Sequence, residues 1–370
     1  MHLKNISLTT EGLNIEFQNG AKDCFPYLWL RDHCKDVENW DERSNQRKLF
    51  TALVDPNIQI EETKIIEDNK TVEVKWPDMS KTVHYSGDFL YKNSLVNTSL
   101  VSDKILWDKK TINNVELEIK FDELAKDEGF KNLLQTIKIY GFSIINNCPT
   151  EIKTVEYIAN KIGYVRNSIF GDLWSFESNT EMADSAYTQE ELRPHTDGTY
   201  NHDAPGLQLL LCCEYEAEGG ESIMVDGFKI AQILKENDKI CYDTLSEIDI
   251  PGRYYGDGVE LIAKRPVFKS RNQELIQVSF NNYDRGDFRL PNNRICDFYT
   301  AIRKFDKLAN DKEMQWRQIL KPGQLLIFNN WRVLHGRSEF SGKRKMSGCY
   351  INKEDFESVC RINSVYKCKH

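Results

Sequence analysis

The chain has 370 residues, enough for one large domain and a smaller one with a substantial core, and a formal net charge of -8. That charge, with no basic block or basic amphipathic helix, argues against nucleic acid or an anionic membrane surface as partner. No apolar run approaches a membrane span, and the ten scattered cysteines, with no Cys-x-x-Cys, read as mostly reduced, half-buried small hydrophobes.

The N-terminus lacks the long apolar core of a signal peptide and the Arg-rich, acid-poor character of a mitochondrial presequence. The expectation is a cytoplasmic protein, or a mitochondrial one if a presequence has been removed. Residues 1–95 read as a small β-rich domain. Leu13–Phe17 alternates and ends at the turn pair Asn19-Gly20. Lys64 to Glu67 and Thr71 to Trp76 read as a hairpin, broken by Pro77-Asp78. Leu95 to Lys110 is polar and mixed and is expected to be a linker.

A second domain is expected over 115–370. The spacing predicts a helix over Phe121 to Tyr140, with Phe130, Leu134 and Ile137 on one face and Gly141 as its stop. Phe142 to Ile145 is a short buried strand, and Glu151 to Ile162 is a second helix. From there to Tyr350, short apolar runs alternate with Gly, Pro, Asn and Asp turns. This predicts a mainly β fold with flanking helices, a double-sheet jelly roll or double-stranded β-helix. Lys229 to Leu245 and Arg294 to Asn310 are expected to be helical insertions.

The chemistry concentrates in His195-Thr-Asp197 and in His335, which lies in Asn329 to Arg337. Two imidazoles and one carboxylate are the facial triad of non-haem iron(II) oxygenases. In an extended stretch, residues i and i+2 share a side, so His195 and Asp197 can grip one metal while His335 comes from a distant strand. His-x-Asp alone is a weak pattern. The order His-x-Asp, Gly219-Gly-Glu-Ser222, His335, Arg344 resembles that of 2-oxoglutarate-dependent oxygenases of the taurine dioxygenase type. It implies Fe(II), 2-oxoglutarate and O2, with ascorbate as a supporting reductant. Arg344 is expected to hold the far carboxylate of 2-oxoglutarate, and Ser222 to add a hydroxyl.

More specific pieces are Leu28-Trp-Leu-Arg-Asp-His-Cys34, Ala186-Tyr-Thr188, Val225-Asp-Gly-Phe228, Asn281-Asn-Tyr-Asp-Arg285 and Asn330-Trp-Arg-Val-Leu-His-Gly-Arg337. With them the chain resembles the gamma-butyrobetaine and trimethyllysine dioxygenase group of carnitine biosynthesis. The resemblance spans nearly the whole chain. It implies a catalytic double-stranded β-helix and an N-terminal domain that in relatives holds zinc through three Cys and one His. Here only Cys34 stands in that segment, and His84 is at the wrong offset, so a structural zinc is not expected.

The resemblance also implies a small-molecule quaternary-ammonium substrate. Such a cation is held by aromatic faces, for which the family positions are Phe170, Trp174, Tyr187 and Tyr350. Asp184, with Asn282 and Tyr200, follows the trimethyllysine branch. A carboxylate at Asp184 suits an α-ammonium, and Asn282 suits the substrate carboxylate. The expected reaction is hydroxylation of N6,N6,N6-trimethyllysine at C3. Gamma-butyrobetaine, another quaternary amine (a phosphonate included) and a non-enzymatic cupin-like metal module stay open. So does assembly as a homodimer.

Overall fold

The computed structural model describes residues 1–97, 103–177 and 189–365. The chain divides into two compact units, Met1–Ser102 and Asp103–Lys367. In the first, strands Leu3–Leu8, Leu13–Phe17 and Lys22–Phe25 form one antiparallel sheet, and Glu62–Ile66, Thr71–Lys75 and Val83–Ser86 form another. Alternation in Leu13–Phe17 turns Leu13, Ile15 and Phe17 into a core that includes Leu3, Val72, Val74, Trp76 and Tyr85. Gly20 takes φ +84° in the turn after the second strand, a conformation that suits glycine. The segment from Tyr27 to Asp32 is a short helix that buries Arg31, whose Nε donates to both oxygens of Asp78 at 3.1 and 3.0 Å. The buried Cys34 accepts from the Asn39 amide at 3.6 Å, and burial raises its thiol pKa. His84 is exposed and bonded to Glu73 at 3.1 Å.

The second unit is a double-stranded β-helix. One sheet runs in the order Val165–Arg166, Phe340–Ile351, Leu207–Gly219, Leu325–Asn329, Phe142–Asn146, Glu118–Lys120, with Leu173–Glu177 also paired to Phe340–Ile351. The smaller sheet is Leu192–His195, Val333–Arg337, Ser222–Asp226, Gln315–Gln318. Side chains of both sheets meet in one core: Phe142, Cys212, Met346 and Phe328 from the first, Met224, Trp316 and Val333 from the second. The outer face of the large sheet is covered by helices Asp127–Tyr140, Ile152–Ile162 and Lys353–Ile362. The smaller sheet packs against Gly227–Asn237, Lys239–Glu247 and Asn292–Ala309.

Three expectations need amendment. The predicted helix from Phe121 is a 3-10 turn over Phe121–Ala125 followed by an α-helix from Asp127, because Lys126 takes an extended backbone between them. The predicted Lys229 to Leu245 helix is two helices, because Asp238 leaves helical geometry and caps the second through Cys241 N. The end of the expected linker is integral: Trp107 is fully buried and its Nε1 donates to Tyr140 O at 2.6 Å.

A buried ion pair ties the two motif segments of the small sheet. Arg332 donates from Nε and Nη2 to the two oxygens of Asp226 at 3.1 and 2.8 Å, and from Nη1 to Ile139 O at 2.8 Å. Asp226 also accepts from the backbone N–H of Trp107 and Phe228. Every guanidinium nitrogen of Arg332 and both oxygens of Asp226 are hydrogen-bonded, the condition under which a buried pair is tolerated. The pair fixes the turn just ahead of His335. Among the described residues no helix is long and apolar enough to cross a membrane.

Candidate active site

His195 ends the strand Leu192–His195 and stands directly opposite His335 in the antiparallel register. The two rings lie 4.4 Å apart. The chain then leaves the sheet: Thr196 pairs through its N–H and hydroxyl with the backbone of Phe280, and Gly198 turns at φ +70°. This brings Asp197 back over the two rings. Its Oδ1 lies 3.3 Å from His195 Nε2 and 3.6 Å from His335 Nε2.

The backbone of Asp197 is clamped by Asn330, a buried residue. Asn330 Oδ1 accepts from Asp197 N at 2.8 Å, and its Nδ2 donates to Asp197 O and Pro205 O, each at 3.0 Å. Tyr350 donates its hydroxyl to Asp197 Oδ2 at 2.8 Å. Within His195, Nδ1 lies 2.8 Å from Arg193 O, so that nitrogen carries the proton and the Nε2 lone pair faces Asp197.

The electrostatics fit a cation at this point. Burial opposes the Asp197 carboxylate, but His335, His195 and the Tyr350 hydroxyl outweigh it and hold its pKa well below the ordinary range. Burial pushes the His335 pKa down to about 4 against the pull of Asp197. At His195 burial opposes protonation, but Asp197 prevails and its pKa is raised. One carboxylate and two imidazoles, with ligating atoms all within 4.8 Å of one another, form the only such group among the described residues. Two nitrogens and one oxygen converging on one point are the donor set of a ferrous site.

Arg344 lies on Phe340–Ile351, opposite Tyr215. It is 7% exposed and has no hydrogen bond or ion pair among the described residues. Burial lowers its pKa, offset in part by Cys212 and Tyr215. A buried guanidinium without a protein anion is costly, which fits a site that takes one from a ligand. Gly220, at φ +73°, lies against it: a Cβ there would sit 3.8 Å from Arg344 Cδ. Ser222 is buried two residues on, opposite Arg337.

Of the aromatic positions, the structure brings Trp174 and Tyr350 together, with ring centroids 5.6 Å apart. Trp174 can lie flat on the sheet because residue 348 is glycine; a Cβ there would meet its indole at 2.3 Å. Phe170 instead packs edge-on to Tyr254 at 6.3 Å, and Tyr254 meets Tyr200 at 5.3 Å. Asn282 is exposed on the rim of a cleft shared with Thr199. Asp184 and Tyr187 lie outside the described residues. Sequence reasoning missed Asn330, Arg332 and Tyr254. The first two sit in the Asn330-Trp-Arg motif, whose fixed order next to His335 was the available signal.

A double-stranded β-helix carrying two histidines and one carboxylate on a single point defines a non-haem iron oxygenase centre. The chain belongs to the taurine catabolism dioxygenase TauD, TfdA family, whose model matches residues 109–350; a gamma-butyrobetaine hydroxylase-like N-terminal model matches residues 5–91. It is 34% identical over 349 residues to the mitochondrial trimethyllysine dioxygenase of Bos taurus, covering 91% of this chain and 82% of that protein. It is 32% identical to the trimethyllysine dioxygenase of Meyerozyma guilliermondii, covering 95% and 93%. It is 29% identical to the gamma-butyrobetaine dioxygenase of Homo sapiens, covering 95% and 94%. Among solved structures it is similar to PvcB, an Fe, alpha-ketoglutarate dependent oxygenase, with TM-score 0.47 and 16% identity over 64% of this chain and 83% of that one. The protein is an enzyme, a dioxygenase that uses iron, 2-oxoglutarate and O2 on a small molecule.

Proposed function

We propose that the enzyme hydroxylates N6,N6,N6-trimethyllysine at C3. The observation that carries this reading is the double use of Tyr350: its ring packs at a tilt of 54° beside Trp174, 5.6 Å away, while its hydroxyl bonds the triad carboxylate at 2.8 Å. An aromatic face beside the metal ligands suits a trimethylammonium group whose chain must reach the reacting centre. The named activity of the Bos taurus and Meyerozyma guilliermondii relatives supports the same substrate.

In this reading His195, Asp197 and His335 hold the iron. Arg344 and Ser222 hold the far carboxylate of 2-oxoglutarate. The bound iron and 2-oxoglutarate, with O2, supply the oxidant that converts a substrate C–H to C–OH as 2-oxoglutarate becomes succinate and carbon dioxide. The remaining residues position the carbon. Trp174, Tyr350, Phe170 and Tyr187 grip the trimethylammonium end, and Asp184 and Asn282 grip the amino-acid end. Fixing both ends of an extended chain leaves one methylene facing the triad, and such positioning is the protein's main contribution to rate.

The second reading, gamma-butyrobetaine or another quaternary amine, is favoured by the human gamma-butyrobetaine dioxygenase relative. A panel of quaternary amines, scored by succinate release, tests both: trimethyllysine should give the highest kcat/KM. The proposal includes no nucleic-acid partner, in keeping with the net charge of -8, and a homodimer as the assembly. It places the enzyme in the cytoplasm, or in mitochondria if a presequence has been removed, as the name of the Bos taurus relative supports.

A further inference from the structure

The strand Leu207–Gly219 runs between Phe340–Ile351 and Leu325–Asn329 and points alternate side chains into the β-helix. Leu210 and Cys212 face inward, toward Phe328, Met346 and Met224. Gln208 is in phase with them. It stands directly opposite Tyr350 on one side and Phe328 on the other, and directly opposed residues share a face. Both neighbours touch the triad. The Tyr350 hydroxyl donates to Asp197 Oδ2 at 2.8 Å, and the Phe328 ring lies 4.7 Å from that of His335. Gln208 therefore rises from the large sheet between the two side chains that meet the metal ligands.

Gln208 is 4% exposed, and its Oε1 is buried with no hydrogen bond. Neither end of the amide has a partner among the described residues. Buried polar side chains are nearly always paired, because a bare one has lost its water for nothing. The buried Gln315, by contrast, donates to Ala309 O at 2.9 Å and accepts from Arg317 at 3.1 Å. Two further bare atoms, Trp174 Nε1 and His335 Nδ1, belong to the same site. A half-turn about the last bond of the glutamine swaps the two ends of its amide, so the bare Oε1 also marks where Nε2 can donate.

2-Oxoglutarate brings two carboxylates. Arg344, the anchor proposed for the far one, lies six residues before Tyr350 on Phe340–Ile351, away from Gln208. The near carboxylate goes to the iron, beside the triad. A carboxylate on a metal keeps lone pairs that seek donors. A neutral amide meets that need, whereas a cation would compete with the ferrous ion for the same oxygens. We propose that Gln208 donates from Nε2 to the iron-chelating carboxylate of 2-oxoglutarate. This role is independent of which amine is hydroxylated.

The test is an anaerobic titration of the iron-loaded enzyme with 2-oxoglutarate, without amine. It is read from the visible charge-transfer band that a 2-oxo acid gives when it chelates ferrous ion. Gln208→Leu should raise the Kd of 2-oxoglutarate about ten- to a hundredfold, the usual effect of losing a hydrogen bond to a charged group. Iron affinity without 2-oxoglutarate should not change. Without ligands, Gln208→Leu should melt at or above wild type, because an apolar chain of similar size replaces a bare buried amide. A structural amide would show the reverse: a lower melting temperature and an unchanged Kd. 2-Oxopentanoate keeps the chelating end and has a methyl in place of the far carboxylate. With it Gln208→Leu should lose affinity by the same factor, while Arg344→Met should lose none. The proposal is overturned if Gln208→Leu binds 2-oxoglutarate as wild type does, or if its loss vanishes with 2-oxopentanoate. It is also overturned if Gln208→Leu and Gln208→Met both melt well below wild type.

Discussion

Tyr350 donates to Oδ2 of Asp197 at 2.8 Å and so leaves Oδ1 as the oxygen facing both imidazoles. One hydroxyl thereby sets the rotation of the triad carboxylate, while the ring that carries it faces Trp174. Metal ligation and substrate recognition share a residue, which lets their contributions be separated by a single atom.

Tyr350→Phe removes that atom and keeps the ring. Groups that orient a metal ligand typically contribute about 10- to 100-fold in affinity or activity. Iron affinity and kcat should both fall within that range, while KM for the quaternary amine changes little. Iron titration alongside steady-state kinetics checks this, and an unchanged iron affinity counts against the orienting role.

His195→Ala or His335→Ala should abolish turnover while leaving the far-ultraviolet dichroism spectrum intact, because each removes one of three protein ligands. Near-normal iron-dependent turnover in either variant would mean that the metal sits elsewhere.

Arg344 is buried without a protein anion among the described residues, so its contribution should depend on ligand. Without 2-oxoglutarate, Arg344→Met should melt at or above the wild-type temperature, since replacing an uncompensated buried charge by an apolar chain is neutral or stabilising. With iron present, 2-oxoglutarate should raise the wild-type melting temperature and leave Arg344→Met unmoved. Equal stabilisation of both proteins would shift the anchor to another residue.

Asn330→Ala cuts three hydrogen bonds that hold the Asp197 and Pro205 backbone. Each net bond contributes about 1 kcal/mol, and stranded buried partners cost more. A loss of roughly 3 kcal/mol in urea unfolding is expected, together with weaker iron binding. A loss well under 1 kcal/mol would show that the turn holds without Asn330.

Much of this site could be read from residue order, because ligand chemistry constrains residue type directly. His195, Asp197 and His335 are recognisable as a donor set, and Arg344 as an anion anchor, before any fold is known. Their register was not readable: that His195 faces His335 depends on pairing between strands far apart in the chain. The same holds for Asp226 and Arg332, two ordinary charged residues until packing buries them together. Asn237-Asp238 in the middle of an apolar periodicity is a helix-capping pair, and the chain does restart a helix there. At Phe170 the family position was clear, but its packing on Tyr254 depended on where the hairpin Ile250–Arg265 folds.

The central claim is that iron and 2-oxoglutarate chemistry is directed at trimethyllysine. The most direct measurement is the stoichiometry of succinate to hydroxylated product, by mass spectrometry, with trimethyllysine and gamma-butyrobetaine offered to the iron-loaded enzyme in competition. One succinate per 3-hydroxytrimethyllysine is expected, with a clear excess of that product over hydroxylated gamma-butyrobetaine. Predominant hydroxylation of gamma-butyrobetaine, or succinate release that neither amine accelerates, would contradict it.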